Sequence, residues 1–143
     1  MQIQPYLFYS GKCDEAIAFY REALGAQELF KMRFKDAPPD PQRPMPPEFA
    51  EKVMHATLQI GDAQFMLSDG GCMTQNDKFL GFSVSLGAPD AATAERYFNA
   101  LAKDGKVTMP FQKTFWSPGF GMLSDKFGVP WMVTAPPLQQ PAA

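Results

Sequence analysis

The alternation of apolar and polar residues predicts a β-hairpin between Val53 and Asp69 more clearly than any other element of the chain. Apolar and polar positions alternate with the period of a strand on both sides of a turn at Gly61-Asp62. If the apolar face lies under a helix, the opposite face looks away from it, where a curved sheet would hold a cavity. The apolar positions are Met54, Ala56, Leu58, Ile60, Phe65 and Leu67, and the opposite positions are His55, Thr57, Gln59, Gln64, Met66 and Ser68.

Helices and further strands are predicted on both sides of this hairpin. Asp14-Glu15 open a helix that ends at Gly25, and Pro89-Asp90 open another, because such residues mark helix ends. An extended surface loop is predicted from Lys35 to Pro47, which holds six of the fourteen prolines. Strands are predicted at Ile3 to Tyr9, Ala26 to Phe34, Phe79 to Leu86, Val107 to Lys113, Gly119 to Asp125 and Val129 to Thr134.

The order of these elements occurs twice. The helical segments AIAFYREAL and AERYFNALA share an alanine start, an adjacent aromatic pair and an apolar end at equal spacing. Each helix follows a strand and precedes three more, which predicts an α+β fold of two βαβββ modules, about 1–69 and 79–135. We expect one domain over 1–137, with a loop from Gly70 to Lys78 between the modules and a disordered tail at 138–143.

Three segments carry a resemblance to a known family. They are PYLFYSGKCDEAIAFYREALGA near the start, HATLQIGDAQFMLSD in the middle and TFWSPGFGMLSDKFGVPWM near the end, so the resemblance extends over nearly the whole chain. These segments resemble the PhnB-like branch of the vicinal-oxygen-chelate superfamily, which includes glyoxalase I, bleomycin-resistance proteins and extradiol dioxygenases. The resemblance implies that the two modules curl around a central cleft, and it does not specify a substrate.

The resemblance also implies where a metal would bind. Metal-dependent members of the superfamily place ligands at positions that correspond here to Pro5, Met66 or Ser68, Gly81 and Met132. None is a usual ligand for a hard divalent ion, and the chain contains one histidine, so two imidazoles cannot come from one chain. We therefore predict no metal cofactor, while an unusual or intersubunit divalent site stays open.

His55 is the candidate catalytic residue, because it alone has ready acid–base range near neutral pH. Its two interpretations are a hydrogen-bonded scaffold role and contact with a ligand or proton transfer; spacing names no carboxylate partner. The abundance of methionine and aromatic residues is typical of an adaptable apolar pocket, although a plain aromatic core has the same composition. The predicted ligand-binding residues are Thr57, Gln59, Met66, Ser68, Ser83, Phe115, Trp116, Phe120 and Met132.

Three further residues have a structural and a chemical interpretation. Asp69 and Asp125 lie at predicted strand ends, where capping of turns is the simpler role for a carboxylate. Cys13 lies at a predicted helix N-terminus, which can depress the pKa of a thiol, but capping and packing explain it as well. Cys13 and Cys72 are the two cysteines, and we expect them to be unpaired.

Composition narrows the possible partners. The formal net charge is -2 and the basic residues are scattered, which argues against nucleic acid and anionic membranes as partners. The chain shows neither a basic, apolar leader nor a long apolar run, so a cytoplasmic location is expected. The excess of methionine and aromatic residues, together with the habit of the superfamily, predicts a homodimer.

The predicted function is binding of a small, largely apolar or aromatic molecule in the cleft between the modules, without metal. The alternative is an enzyme of the glyoxalase or dioxygenase type, a lyase, isomerase or oxygenase, that uses an atypical metal site or His55. Whether the chain catalyses a reaction, and the identity and pathway of its ligand, stay open.

Overall fold

A computed structural model of the chain describes residues 1–42, 44–70 and 79–136. These residues form two compact units, one within 1–77 and the other within 78–143. Each unit contains a strand, a helix and three further strands, and each builds one four-stranded sheet. The predicted α+β fold of two βαβββ modules is confirmed. In the described ranges no helix is both long and apolar enough to span a membrane.

The two units share one topology. In the first sheet the strand order is β1-β4-β3-β2, in the second it is β5-β8-β7-β6, and only β1–β4 and β5–β8 are parallel pairs. The first unit comprises β1 (Tyr6–Phe8), α1 (Cys13–Leu24), β2 (Gln27–Arg33), β3 (Val53–Ile60) and β4 (Ala63–Ser68). The second unit comprises β5 (Val84–Gly87), α2 (Ala91–Ala102), β6 (Lys106–Gln112), β7 (Phe120–Ser124) and β8 (Pro130–Thr134).

In the first unit, α1 covers the apolar face of the hairpin. Tyr20 of α1 is fully buried and its ring meets Phe65 edge-on, with the ring centroids 5.7 Å apart. Gly25 ends the helix in the left-handed conformation with φ 66°, where a glycine has no steric penalty. One face of this sheet is therefore core, and the other is left uncovered by the helix.

In the second unit, α2 covers the sheet in the same way. The Asp90 side chain accepts a hydrogen bond from the Thr93 backbone N–H at 2.7 Å, which caps the start of the helix. Phe98 lies so close to β7 that a Cβ at Gly121 would come within 2.6 Å of its ring. The absence of a side chain at Gly121 is what lets the helix pack this tightly.

Two strands are much shorter in the structure than predicted, whereas the others differ from their predicted bounds by one or two residues. The strand predicted from Phe79 begins only at Val84, because Gly81 adopts a left-handed conformation with φ 79° that breaks the extended run. The first strand spans Tyr6–Phe8 rather than Ile3 to Tyr9. Short 3₁₀ turns at Phe34–Asp36 and Pro47–Phe49 lie at the ends of the Pro-rich loop. Cys72, most of the predicted 70–78 loop and the predicted tail at 138–143 lie outside the described residues.

Asp69 is a buried carboxylate that joins three parts of the first unit. Its Oδ1 accepts hydrogen bonds from the backbone N–H groups of Gly11 at 2.8 Å and Cys13 at 2.9 Å. Its Oδ2 accepts one from the N–H of Val53 at 3.0 Å. The end of β4 is thus tied to the start of α1 and to the start of β3.

Asp125 plays the corresponding role in the hairpin between β7 and β8. Its Oδ1 accepts hydrogen bonds from the backbone N–H groups of Phe127 and Val129 at 2.9 and 3.0 Å. Its Oδ2 accepts one from the indole N–H of buried Trp131 at 2.9 Å. The interpretation of Asp125 as a turn-capping residue is confirmed.

Charged side chains gather on the helix side of the first sheet. Arg33 donates two hydrogen bonds to Asp14 at 2.8 and 3.1 Å, and this contact holds the pKa of the Asp14 carboxyl below its ordinary value. Lys31 and Glu28 form a further ion pair at 3.3 Å. Burial raises the pKa of the Cys13 thiol well above its ordinary value, so the possibility of a depressed pKa there is wrong.

We predict that Asp69→Ala lowers the free energy of unfolding by about 3 kcal/mol or more, because three backbone N–H groups, two of them in buried hydrogen bonds, lose a charged acceptor. Urea unfolding followed by circular dichroism measures this. Asp62→Ala, at the exposed turn of the β3–β4 hairpin, is the control and should cost less than about 0.5 kcal/mol. Equal effects of the two substitutions would contradict a structural role for Asp69.

Candidate functional site

The candidate site is the face of the first sheet that points away from α1, which we call the open face. Residues paired directly across neighbouring strands share a face, so the register identifies its members. One row, which we call the ring row, crosses all four strands as Tyr6, Met66, Thr57 and Phe30. One step along the strands, Phe8 pairs with Ser68 and His55 pairs with Met32.

His55 is held from two sides. The Tyr6 hydroxyl lies 3.0 Å from Nδ1, and the Thr57 hydroxyl lies 3.3 Å from Nε2. The imidazole also stacks on the Tyr6 ring, with centroids 5.4 Å apart and planes 27° apart, and the Phe30 ring lies 5.9 Å away. Both ring nitrogens therefore have a hydroxyl group within hydrogen-bond distance, and in the neutral imidazole one nitrogen donates while the other accepts.

Tyr6 is the site residue that sequence reasoning missed. Spacing named no partner for His55, because the two residues are 49 positions apart in sequence. The signal that would have found it is the parallel pairing of β1 with β4, which brings Tyr6 opposite Met66 and so next to Thr57. Parallel pairing of this kind is not visible in the local alternation of residues.

The open face is aromatic and uncharged. Tyr6, Phe8 and Phe30 remain 37%, 42% and 48% exposed, unusually high values for three neighbouring rings. The charged residues of β2 point to the opposite face. There Glu28 pairs with Arg21, and Lys31 and Arg33 pair with Asp14. The strand residues that the register assigns to the open face are Tyr6, Phe8, Gln27, Phe30, Met32, His55, Thr57, Gln59, Gln64, Met66 and Ser68.

The structure brings four predicted site residues together on this face: His55, Thr57, Gln59 and Met66 are neighbours on β3 and β4. Ser68 belongs to the same face but is 2% exposed. Its hydroxyl donates to the Met54 carbonyl at 2.6 Å and accepts from the Gly70 N–H at 2.7 Å. The Ser68 hydroxyl therefore binds backbone groups at the end of β4 rather than a ligand.

The remaining predicted residues belong to the second unit. Phe115, Trp116 and Phe120 form an aromatic cluster, with centroid distances of 4.7 Å and 5.4 Å between successive rings. Met132 pairs with Met122 on the sheet face away from α2. Ser83 lies just before β5, and within the described ranges its buried hydroxyl has no hydrogen-bond partner. Phe120 and Met132 lie on the sheet of the second unit, whereas Ser83, Phe115 and Trp116 lie in the connections beside its strands.

The positions implied for a divalent metal do not fit one. Pro5 and Gly81 have no side-chain donor, the Pro5 carbonyl accepts a hydrogen bond from Met66 N–H at 2.9 Å, and the Ser68 hydroxyl is occupied as described. Met66 and Met132 are soft thioethers. Over the parts of the chain that the structure describes, no group of three His, Cys, Asp or Glu side chains is placed to hold a metal ion.

Comparison with known proteins gives consistent matches over nearly the full chain. Residues 2–133 match the family model of the Glyoxalase/Bleomycin resistance protein/Dioxygenase superfamily. The chain is 37% identical to Protein YjdN of Escherichia coli K12 over 139 residues, which is 93% of this chain and 94% of that protein.

Two solved structures are similar as well. Protein PA1353 from Pseudomonas aeruginosa has a TM-score of 0.83 and 40% identity, with 95% of this chain and 98% of that chain covered. A putative 3-demethylubiquinone-9 3-methyltransferase, PhnB protein, from Bacillus cereus has a TM-score of 0.74 and 26% identity, with 94% and 99% covered.

We predict that Tyr6→Phe shifts the Nδ1 resonance of His55 more than its Nε2 resonance, because only the hydrogen bond to Nδ1 is removed. Thr57→Val should act mainly on Nε2. Long-range proton–nitrogen correlation spectra measure both ring-nitrogen resonances. Because the chain has one histidine, these resonances belong to His55 without further residue assignment. Tyr97→Phe in α2 is the control and should leave both resonances in place; a spectrum unchanged by all three substitutions would contradict the site geometry.

Proposed function

Because the chain belongs to the glyoxalase/bleomycin resistance protein/dioxygenase superfamily, and to its PhnB-like branch, we propose that it binds a small neutral molecule, largely apolar or aromatic, on the open face. The observation that carries this proposal is the cluster of exposed rings around His55, on a face to which the described strands contribute no ionic side chain. Membership of the family supports a role in binding or converting small molecules. The residues of the site, rather than the fold, determine which ligand binds.

The physical basis of binding is the exposed apolar area. Tyr6, Phe8 and Phe30 present ring surface to water, and a flat ligand that covers them gains burial and ring contacts, each ring pair adding about 0.5–1.5 kcal/mol beyond burial. Met66 and Met32 lie among these rings in the register, and flexible thioethers adjust to ligands of different outline. Such a surface favours a flat body over a specific shape.

The same face disfavours charged ligands. An ion that settles on it loses hydration and finds no opposite charge, since the neighbouring Arg33 and Asp14 neutralise each other on the helix side. The hydroxyls of Tyr6 and Thr57 offer hydrogen bonds but not ion pairs. The proposal is therefore limited to neutral molecules.

The methyltransferase activity in the name of the Bacillus cereus protein has little support in this chain. A nucleotide-type methyl donor is usually held by a glycine-rich turn between a strand and the following helix. Here the β1–α1 connection is Tyr9-Ser10-Gly11-Lys12 and the β5–α2 connection is Ala88-Pro89-Asp90. Neither connection supports methyl transfer, so the proposal stays with binding.

Proton transfer at His55 is the second candidate function. The specific observation in its favour is the Tyr6–His55–Thr57 hydrogen-bonded series, which would let one hydroxyl give and the other take a proton as a ligand isomerises. His55→Ala distinguishes the two: loss of a measurable turnover supports the isomerase, and loss of stability alone makes His55 a scaffold residue.

We also propose that the chain forms a homodimer, as its composition predicts. Phe115 is 89% exposed and contacts Trp116, which is 43% exposed. Exposed neighbouring rings of this kind support a surface that another subunit covers.

We predict that 2-naphthol binds with a measurable Kd at pH 7 and that 2-naphthoate, which has the same rings and a negative charge, binds at least about 10-fold more weakly. Phe30→Ala should weaken 2-naphthol binding about fivefold, because one ring contact and its burial are lost. Leu29→Ala, an equally exposed apolar truncation at the adjacent position, is the control. Isothermal titration calorimetry measures all of these, and a tighter complex with the anion would refute a neutral site.

We also predict that elemental analysis of the purified protein finds no stoichiometric zinc, nickel, iron or manganese, since Pro5, Gly81 and Met132 are unsuited to hard divalent ions. About one metal per chain that His55→Ala abolishes would favour a metalloenzyme with a rearranged ligand set.

A further inference from the structure

A row of four glutamines crosses the open face beside the ring row. Gln27 pairs with Gln59, and Gln59 pairs with Gln64. The side chain of Gln4 reaches the same row and donates from Nε2 to Gln64 Oε1 at 3.2 Å. We call these residues the amide row. Gln27, Gln59 and Gln64 lie on β2, β3 and β4, and Gln4 lies just before β1, so the row consists of neutral carboxamides.

Two of these carboxamides have one end occupied by a hydrogen-bond partner. Gln59 donates from Nε2 to the Gly61 carbonyl at 2.8 Å, and because a carbonyl only accepts, Oε1 is the end that faces away from this bond. Gln64 has its Oε1 occupied by Gln4, so its amino group is the other end. Neighbouring strands thus present one acceptor and one donor, with no other hydrogen bond to either within the described residues.

The spacing of the rows suits one flat ligand. Positions two apart on a strand are separated by about 6.7 Å, so the amide row lies that far from Thr57 and Met66 of the ring row. A two-ring body resting on the ring row would bring one edge within reach of the glutamine head groups. That edge would then meet the acceptor of Gln59 and the donor of Gln64 together.

We propose that the amide row recognises a lactam edge, an N–H beside a C=O, on the neutral aromatic ligand. The ligand N–H would donate to Gln59 Oε1, and its C=O would accept from Gln64 Nε2. This inference rests on the proposed function, since it assumes that a flat ligand occupies the open face. It adds the ligand class: planar ring systems that contain a cis-amide unit, as heterocyclic bases and quinolones do.

The test compares 2-quinolone with 1-methyl-2-quinolone. The two probes differ by one methyl group, which replaces the hydrogen of the ring N–H donor. Calorimetric titration of the full chain should give 2-quinolone an affinity at least about fivefold higher, because the methyl group leaves the acceptor of Gln59 unpaired. Gln59→Met and Gln64→Met, which keep side-chain length but lose the amide, should each reduce this preference to less than about twofold. Gln112→Met on β6 of the second unit is the matched control and should retain the full preference.

The outcomes separate this inference from the proposal beneath it. If both quinolones bind equally well and Phe30→Ala weakens both, the lactam inference is wrong while the neutral aromatic site stands. If neither quinolone binds and 2-naphthol does not bind either, both proposals fail. Gln64→Glu provides a second variant of nearly the same shape: it replaces the donor with an acceptor, and a retained preference for 2-quinolone in that protein would overturn the assignment of Gln64.

Discussion

The buried carboxylate of Asp69 is the contact on which the site geometry depends. It accepts hydrogen bonds from the backbone N–H groups of Gly11, just before α1, and Cys13, at the start of α1. It accepts a third from the N–H of Val53 at the start of β3. One side chain therefore fixes where β1 ends, where the helix starts and where β3 begins relative to the end of β4. The register of β1 on β4 follows from these fixed ends, and that register is what places the Tyr6 hydroxyl 3.0 Å from His55. A structural acid thus positions the candidate acid–base residue without touching it.

Separation of charge between the two faces of the first sheet gives the open face its chemistry. An irregularity in β2 between Glu28 and Phe30 lets Glu28 and Lys31, three positions apart, both face α1. There they pair with each other and with Asp14 or Arg21. Salt bridges this exposed contribute little stability, typically below about 1 kcal/mol each. Their larger effect is on the other face, where the described strand residues are rings, thioethers, hydroxyls and amides rather than charged groups.

Much of the fold, and half of the site, could be predicted from the sequence because both depend on local alternation. The β3–β4 hairpin has a two-residue turn and period-two patterning, so His55, Thr57 and Gln59 were placed on one face correctly. Contacts set by distant strands could not be predicted in this way. Tyr6 reaches His55 through a parallel pair, and Ser68 is occupied by the Met54 carbonyl, next to an irregularity in the β2–β3 register. The early break at Gly81 depends on one backbone angle that residue type permits but does not require.

The two units show that this topology leaves its outer faces free to diverge. Both place a helix on one side of a sheet with the same strand order, and in both a central strand has a small buried residue on the helix side, Ala56 in β3 and Gly121 in β7. On the faces away from the helices, the first unit has the ring row and the amide row. The second has a row of methionines, in which Met109 pairs with Met122 and Met122 with Met132. Packing against the helix constrains alternate positions of each strand, and the positions between them can change without disturbing the core. The family fold is therefore compatible with many ligands, and the residues on the open face determine the chemistry of this chain.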